Sequence, residues 1–379
     1  MKCKLSDICS FRKGKVEVEN LNAKNYISTE NMLPNKCGIT EASSLPTVPL
    51  TQEYNSGDVL VSNIRPYFKK IWQAKYDGGC SNDVLVFVPK PNTDKDFLYY
   101  VLADDDFFTY SMATSKGTKM PRGDKTSIMQ YEVPLIDLQV QKKIASVLKA
   151  LDEKIKLNNE INNNLEQQAQ AVYYKMFSEV NTVPVELSSI IDVRDGTHDS
   201  PKAQATGYYL ITSKHLLPFG VDKASANHIS KADFDKINER SLVETQDILM
   251  SMIGTIGLIS YIPYETVDFA IKNVALFKTS HTPELSYYFL CYLKSEKTLQ
   301  HIGKCLAGST QKYISLGELR KMPIYSPTTN EIREFNCLVK PMFEKIESRT
   351  YENALLAEMR DSLLPKLMSG ELDVSDIEL

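Results

Sequence analysis

The sequence predicts an α+β protein with two tandem, pseudo-symmetric domains separated by a two-helix antiparallel coiled coil. Three observations predict it. Segments of the first 138 residues recur, in the same order, 182 to 191 residues later. Each copy ends in a long stretch whose apolar residues alternate at spacings of four and three, the mark of a helix with one packed seam. Both seams turn polar at their centres.

Composition bounds the class. A chain of 379 residues exceeds one ordinary core and suits two or three domains. Its 42% hydrophobic and 24% charged content is that of a globular protein. No apolar run approaches the roughly 18 residues of a membrane span, and MKCKLSDICSFRKGK lacks an apolar signal core. A cytoplasmic protein with no membrane partner is expected. Seven scattered cysteines with no CxxC pair predict reduced thiols and no metal site. The net charge of −4 means that any nucleic-acid surface must be a local concentration of cations.

The repeat is legible along the whole chain. KLSDICSFRKGK (4–15) returns as ELSSIIDVRDGT (186–197), and SGDVLVSNI (56–64) as TQDILMSMI (245–253). NDVLVFV (82–88) matches KNVALFK (272–278); these β-branched runs after turn residues predict strands. FLYYVLADDDFF (97–108) is matched to LSYYFLCYLKSE (285–296), an aromatic-rich helix on a sheet, and 115–135 to 306–325. The expected divisions are a first domain at 1–138, a long helix at 139–178, a second domain at 179–328, a second helix at 329–369 and a tail at 370–379.

The first helix contains LDEKIKLNNEINNNLEQQ (151–168), in which asparagines stand where apolar residues are due. Its seam runs through Leu148, Leu151, Ile155, Asn158, Asn162 and Leu165; the second runs through Val339, Met342, Ile346, Arg349, Asn353 and Leu356. Pairing brings the polar centres together and fixes register at some cost in stability. An antiparallel pair also sets Arg360 beside Asp152 and Glu153, which compensate its charge. The bland alternative is two amphipathic helices that each cap their own domain.

No segment carries chemistry on its own. There is no GxxxxGK, no GxGxxG opening a helix, no HExxH and no NPPY-like run. His198, between Asp195 and Asp199, fits acid–base work or a plain hydrogen-bonding role; no catalytic residue is assigned. Binding groups are better represented. NIRPYFKKIW supplies Asn63, Arg65, Tyr67, Lys69 and Lys70, and SKGTKMPRGDK supplies Lys116, Thr118, Lys119, Arg122 and Lys125. The second copy offers Thr197, His198, Lys214 and His215, and AGSTQKY offers Ser309, Thr310, Gln311 and Lys312. Cations, amides and hydroxyls are what phosphate and base-edge contacts require. The two Gly-containing loops occupy corresponding places in the repeat. A structural adaptor that only assembles proteins is the competing reading.

GDVLVSNIRPY, GTKMPRGDK, QKKIASVLKALDEKI, DGTHDSP, GSTQKYI and MRDSLLPKLMSGEL resemble the specificity subunits of type I restriction–modification systems. The resemblance covers essentially the whole chain. It implies two target-recognition domains, each reading one half of a split, asymmetric site in double-stranded DNA, and helices that set the unread spacer. It also implies a subunit without catalysis or cofactor of its own in a bacterial defence complex. Two modification subunits would bring S-adenosylmethionine and methylate adenine; restriction subunits would bring ATP and Mg.

Overall fold

The computed structural model describes residues 2–177, 183–308 and 312–374. The chain forms two compact units, one of residues up to Lys156 with those from Ala354 onward, the other Leu157–Asn353. The linear divisions drawn from sequence mark the ends of elements; compactness groups the chain differently, because each long helix gives one half to each unit.

In the first unit, strands Lys2–Lys4 and Glu132–Pro134 pair antiparallel and tie the two ends of the domain together. One antiparallel sheet has the order Cys9–Phe11, Val84–Pro89, Val59–Ser62, Ile71–Gln73. The other runs Lys15–Glu17, Leu50–Tyr54, Gly78–Cys80, Tyr26–Ile27, its last pair parallel. Alternation along the strands fills two cores. Leu60, Val84 and Val86 point with Tyr54 and Ile27 into one. Val59, Val61 and Phe87 point into the other, against Phe97, Val101 and Phe107 of the covering helices. Gly78 is needed where the strand passes the Asn25 carbonyl, since a Cβ there would lie 2.2 Å from that oxygen.

The second unit repeats this plan. Val185–Glu186 pairs with Pro323–Ile324, and an antiparallel sheet runs Val193–Asp195, Val274–Phe277, Ile248–Ser251, Ile259–Tyr261. A smaller sheet runs Asn227–Ile229, Tyr208–Ile211, Phe269–Ile271, its last pair again parallel. An added helix, Lys231–Ser241, lays Ile237 against Leu210, Ile229 and Ala270.

Each aromatic stretch expected as one helix is two. Asp104 breaks the first, separating Lys95–Ala103 from Asp105–Ala113, and its carboxylate accepts the Asp106 N–H at 3.0 Å. Ser295 does the same between Ser286–Lys294 and Glu296–Lys304, capping Thr298 N at 3.3 Å. A capping side chain that competes for backbone N–H groups starts a new helix rather than continuing the old one. The helix starts, Lys95 and Ser286, are 191 residues apart, as are the breaks, whereas matching 97–108 to 285–296 implies 188. A slip of three residues keeps the same helical face, so the apolar pattern could not detect it.

The long helices are Leu138–Phe177 and Thr329–Ser369. Within each unit their halves pack antiparallel. In the second unit Asn158 pairs with Asn353 while Tyr173 faces Phe335, ring centroids 6.4 Å apart. In the first, Ile144 and Leu148 share a core with Leu364 and Leu367. Arg360 Nη1 meets Asp152 Oδ1 at 2.7 Å, and the Tyr100 hydroxyl donates to Asp152 Oδ2 at 2.7 Å. The polar centre is a network. Fully buried Asn158 donates to Asn353 Oδ1 at 2.9 Å and Glu352 Oε2 at 2.8 Å, and Asn353 donates to Asn159 Oδ1 at 2.8 Å. Every seam position named from the sequence is buried or half-buried. Asn162 Oδ1 and one Arg349 Nη lie buried with no hydrogen bond among the described residues.

Candidate nucleic-acid interface

In each unit a strand exit and a small hairpin are built against each other. In the first, Lys116 and Arg122 exchange two backbone hydrogen bonds of 2.9 Å around Gly117, whose φ of +92° suits glycine. The hairpin is fixed to the exit of Val59–Ser62: Arg65 N donates to Pro121 O at 2.8 Å and Gly123 N to Asn63 O at 3.1 Å. A Cβ on Gly123 would fall 2.7 Å from Asn63 Oδ1 and 2.8 Å from Ile128 Cδ1, so a larger residue there would have to displace those side chains. In the second unit Ala307 and Tyr313 make the same pair of bonds, Gly308 has φ +92°, and Ile314 N donates to Met252 O at 3.1 Å. The described ends of the two loops matched in sequence make the same bonds.

The cations of these first-unit segments are partly held by neighbours. Lys116 pairs with Asp124 at 2.6 Å, which draws the Asp124 carboxyl down to about 2 together with the Ser127 N–H. Arg122 reaches Asp83 at 3.2 Å. Lys69 and Lys36 share Asp105 at 2.7 and 2.8 Å. Lys70 donates to Thr29 O at 2.6 Å, and burial lowers its pKa against an opposing pull from Glu30. Lys125 stands 5.9 Å from the Phe11 ring. Arg65 and Lys69 occupy left-handed backbone, φ +51° and +49°, flanking the turn that exposes Tyr67 and Phe68. Thr118 and Lys119 are exposed at the hairpin tip. Asn63 Oδ1 and Arg65 Nε are buried without a hydrogen bond among the described residues.

In the second unit Gly196 permits the turn at 195–198, since a Cβ would meet Ile271 O at 2.3 Å. Thr197 Oγ1 accepts the Asp199 N–H at 3.0 Å. His198 is bracketed by Asn273 Oδ1 at 2.7 Å and Asp195 Oδ2 at 3.1 Å, and buried Asp195 also holds Arg240. Both imidazole nitrogens are taken by non-nucleophilic groups, and the nearby Ser200 hydroxyl accepts from Lys272 at 2.5 Å. Lys214 and Lys312 are exposed. His215 is not a surface contact: it is 2% exposed and its Nδ1 accepts the Thr212 N–H at 2.9 Å. Burial, and then Lys214, lowers its pKa, so the neutral ring that caps this turn is favoured. Ser309, Thr310 and Gln311 lie outside the described residues.

Sequence reasoning passed over a polar recess beside the first hairpin, a cavity of about 390 Å³. Ser28, Thr29, Glu30, Glu41, Ser43, Ser44, Ser81 and Asp83 line it. The only available signal was the run EASSLPT at 41–47, which has no period. Among the described residues no cluster of His, Cys, Asp and Glu could hold a metal ion, and no helix is long and apolar enough to cross a membrane.

Comparison with known proteins agrees with the doubled plan. The sequence profile described as the type I restriction modification DNA specificity domain matches twice, at residues 1–167 and 179–346. The type I restriction enzyme HindI specificity subunit of Haemophilus influenzae is 25% identical, over 92% of this chain and 94% of that protein. The MjaIX specificity subunit of Methanocaldococcus jannaschii is 24% identical, over 76% of this chain and 72% of its own length. A type I restriction–modification S subunit from M. genitalium has the same fold, with a TM-score of 0.53, 16% identity, and coverage of 97% and 96%. With the profile spanning nearly all of the chain in two copies, the protein belongs to the type I restriction–modification DNA specificity family.

Proposed function

We propose that this chain is the non-catalytic subunit that reads a bipartite, asymmetric DNA site and directs adenine methylation and restriction by partner subunits. The observation that carries the reading is the pair of matching loop bases, each closed by two backbone bonds and pinned to a strand exit, beneath loops of different sequence. One frame with two sets of side chains is what two unlike half-sites require. Cations beside the hairpin would take phosphates, and exposed hydroxyl and amide groups would meet base edges. The paired helices would fix the length of DNA left unread, a task suited to a seam whose register is set by Asn158 and Asn353. Modification subunits would dock on the helices and supply S-adenosylmethionine; Leu355 and Met359, one turn apart and about half exposed, are apolar groups available for such a contact. Restriction subunits would supply ATP-driven chemistry.

The test is an exchange of residues 1–138 for those of a relative, with adenine methylation mapped by sequencing DNA from cells that also express the modification subunit. One half of the methylated sequence should change and the other persist. A change in both halves, or in neither, overturns the reading.

A further inference from the structure

The geometry points to one equivalent base-discriminating position in each unit, Glu30 in the first and Lys214 in the second. We infer that Glu30 selects a base pair offering an amino group, cytosine N4 or adenine N6, while Lys214 selects one offering acceptors, above all guanine N7 and O6. The inference rests on the DNA-reading function proposed above.

The equivalence is structural, and a short likeness accompanies it: Ile27 matches Ile211, and Ser28 and Thr29 stand against Thr212 and Ser213. In each unit a strand pairs in parallel with the same neighbour and runs out into a four-residue turn: Tyr26–Ile27 into Ser28, Thr29, Glu30 and Asn31, and Tyr208–Ile211 into Thr212, Ser213, Lys214 and His215. Just beyond that neighbour, Ser81 N donates to Ile27 O at 2.8 Å, and Lys272 N to Ile211 O at 2.9 Å. In both turns the fourth side chain folds back on the first backbone N–H. Asn31 Oδ1 accepts from Ser28 N at 2.6 Å, and His215 Nδ1 from Thr212 N at 2.9 Å. Both caps are buried, at 5% and 2% exposure. Two chemically different residues do one internal job, capping the first N–H of the turn, and the third residue is exposed in both.

That third residue is where the units part company. Glu30 and Lys214 are both exposed, carry opposite charge, and have no ion-pair partner among the described residues. A scaffold requirement would not accept either sign. Glu30 borders the 390 Å³ recess with Ser28, Thr29 and Ser81, and the recess adjoins the cations of the platform: Asp83 in its wall holds Arg122, and Lys70 donates to Thr29 O. A carboxylate among phosphate-facing lysines is repelled by the DNA backbone unless a donor meets it. In the major groove those donors are the exocyclic amino groups of cytosine and adenine. A lysine in the same place finds its best partner in guanine. One turn, carried on two frames with opposite charge, yields half-sites that differ at corresponding positions.

The experiment maps methylated adenines in cells expressing the full chain with its modification subunits, comparing the parent with Glu30→Lys, Glu30→Gln and Lys214→Glu. Glu30→Lys should replace one base pair of one half-site with a pair presenting acceptors; Lys214→Glu should alter only the other half-site. Glu30→Gln, which keeps size and removes charge, should relax discrimination at the same single pair by roughly ten- to a hundredfold. An unchanged sequence in Glu30→Gln, or changes spread over both halves, overturns the inference, including where Glu30→Lys abolishes methylation altogether. A parent chain that directs no sequence-dependent methylation would instead overturn the proposed function, which separates the two failures.

Discussion

At the scale of single residues, the polar groups of the paired helices show how charge and amide groups are kept in a packed seam. Arg360 is partly buried, and burial alone would lower its pKa; the hydrogen bonds it donates to Asp152 and Asp361 outweigh this and raise it, so the guanidinium stays charged. Asp152 also receives the Tyr100 hydroxyl, which joins the helix pair of the first unit to its covering helix. In the second unit Glu347 is the reverse case. Burial raises its pKa, the Tyr287 hydroxyl at 3.2 Å pulls it down, and Glu344 pushes it up again. An acid raised in the folded state binds its proton more tightly there than in the unfolded chain. Its contribution to stability is therefore present below the ordinary glutamate value of 4.5 and is lost as pH rises through the raised one. Glu347→Gln should then increase the thermal midpoint at pH 8 and leave it nearly unchanged at pH 4, read by circular dichroism. An equal shift at both pH values would mean that charge is not the cause.

At the scale of elements, the antiparallel helices were the most legible part of the chain. The strict four-three spacing gave the seam; the asparagines meet in either orientation, so Arg360 beside Asp152 alone gave the direction. The break at Asp104 was not legible: an aspartate inside an amphipathic run reads equally as a surface residue or as a cap. The helix pair also carries a quantitative expectation. Seven residues inserted between Asn158 and Asn162, matched by seven between Arg349 and Asn353, keep the seam in phase. They add about 10 Å of helix. The unread DNA spacer should lengthen by about three base pairs, at roughly 3.4 Å each, with both half-sites retained in methylation mapping. An unaltered spacer would remove the helices from the measuring role.

At the scale of the whole molecule, the doubling was legible because hydrophobic period and turn residues survive divergence, while the reading surface was legible only in part. GTKMPRGDK and GSTQKYI were found as corresponding loops through their glycines, whose left-handed φ no other residue adopts as freely. The turns at 28–31 and 212–215 were missed, because their kinship lies in a buried cap that is asparagine in one and histidine in the other. Lys214 was named for its charge; Glu30 was passed over for the same reason. His215, taken for a surface group, belongs to the internal cap.

The way the helices are divided also fixes an order of assembly during synthesis. Leu157–Asn353 is an uninterrupted length of chain, whereas the other unit takes Leu364, Leu367, Met368 and Val374 into its core from beyond the second unit in sequence. A ribosome must therefore pass residue 374 before the part it made first can close. A chain stopped after Asn353 should leave Ile144, Leu148 and their neighbours open to water, and proteolysis should digest the amino-terminal portion while Leu157–Asn353 resists. Equal resistance of both portions would show that the early part closes without waiting for the last residues.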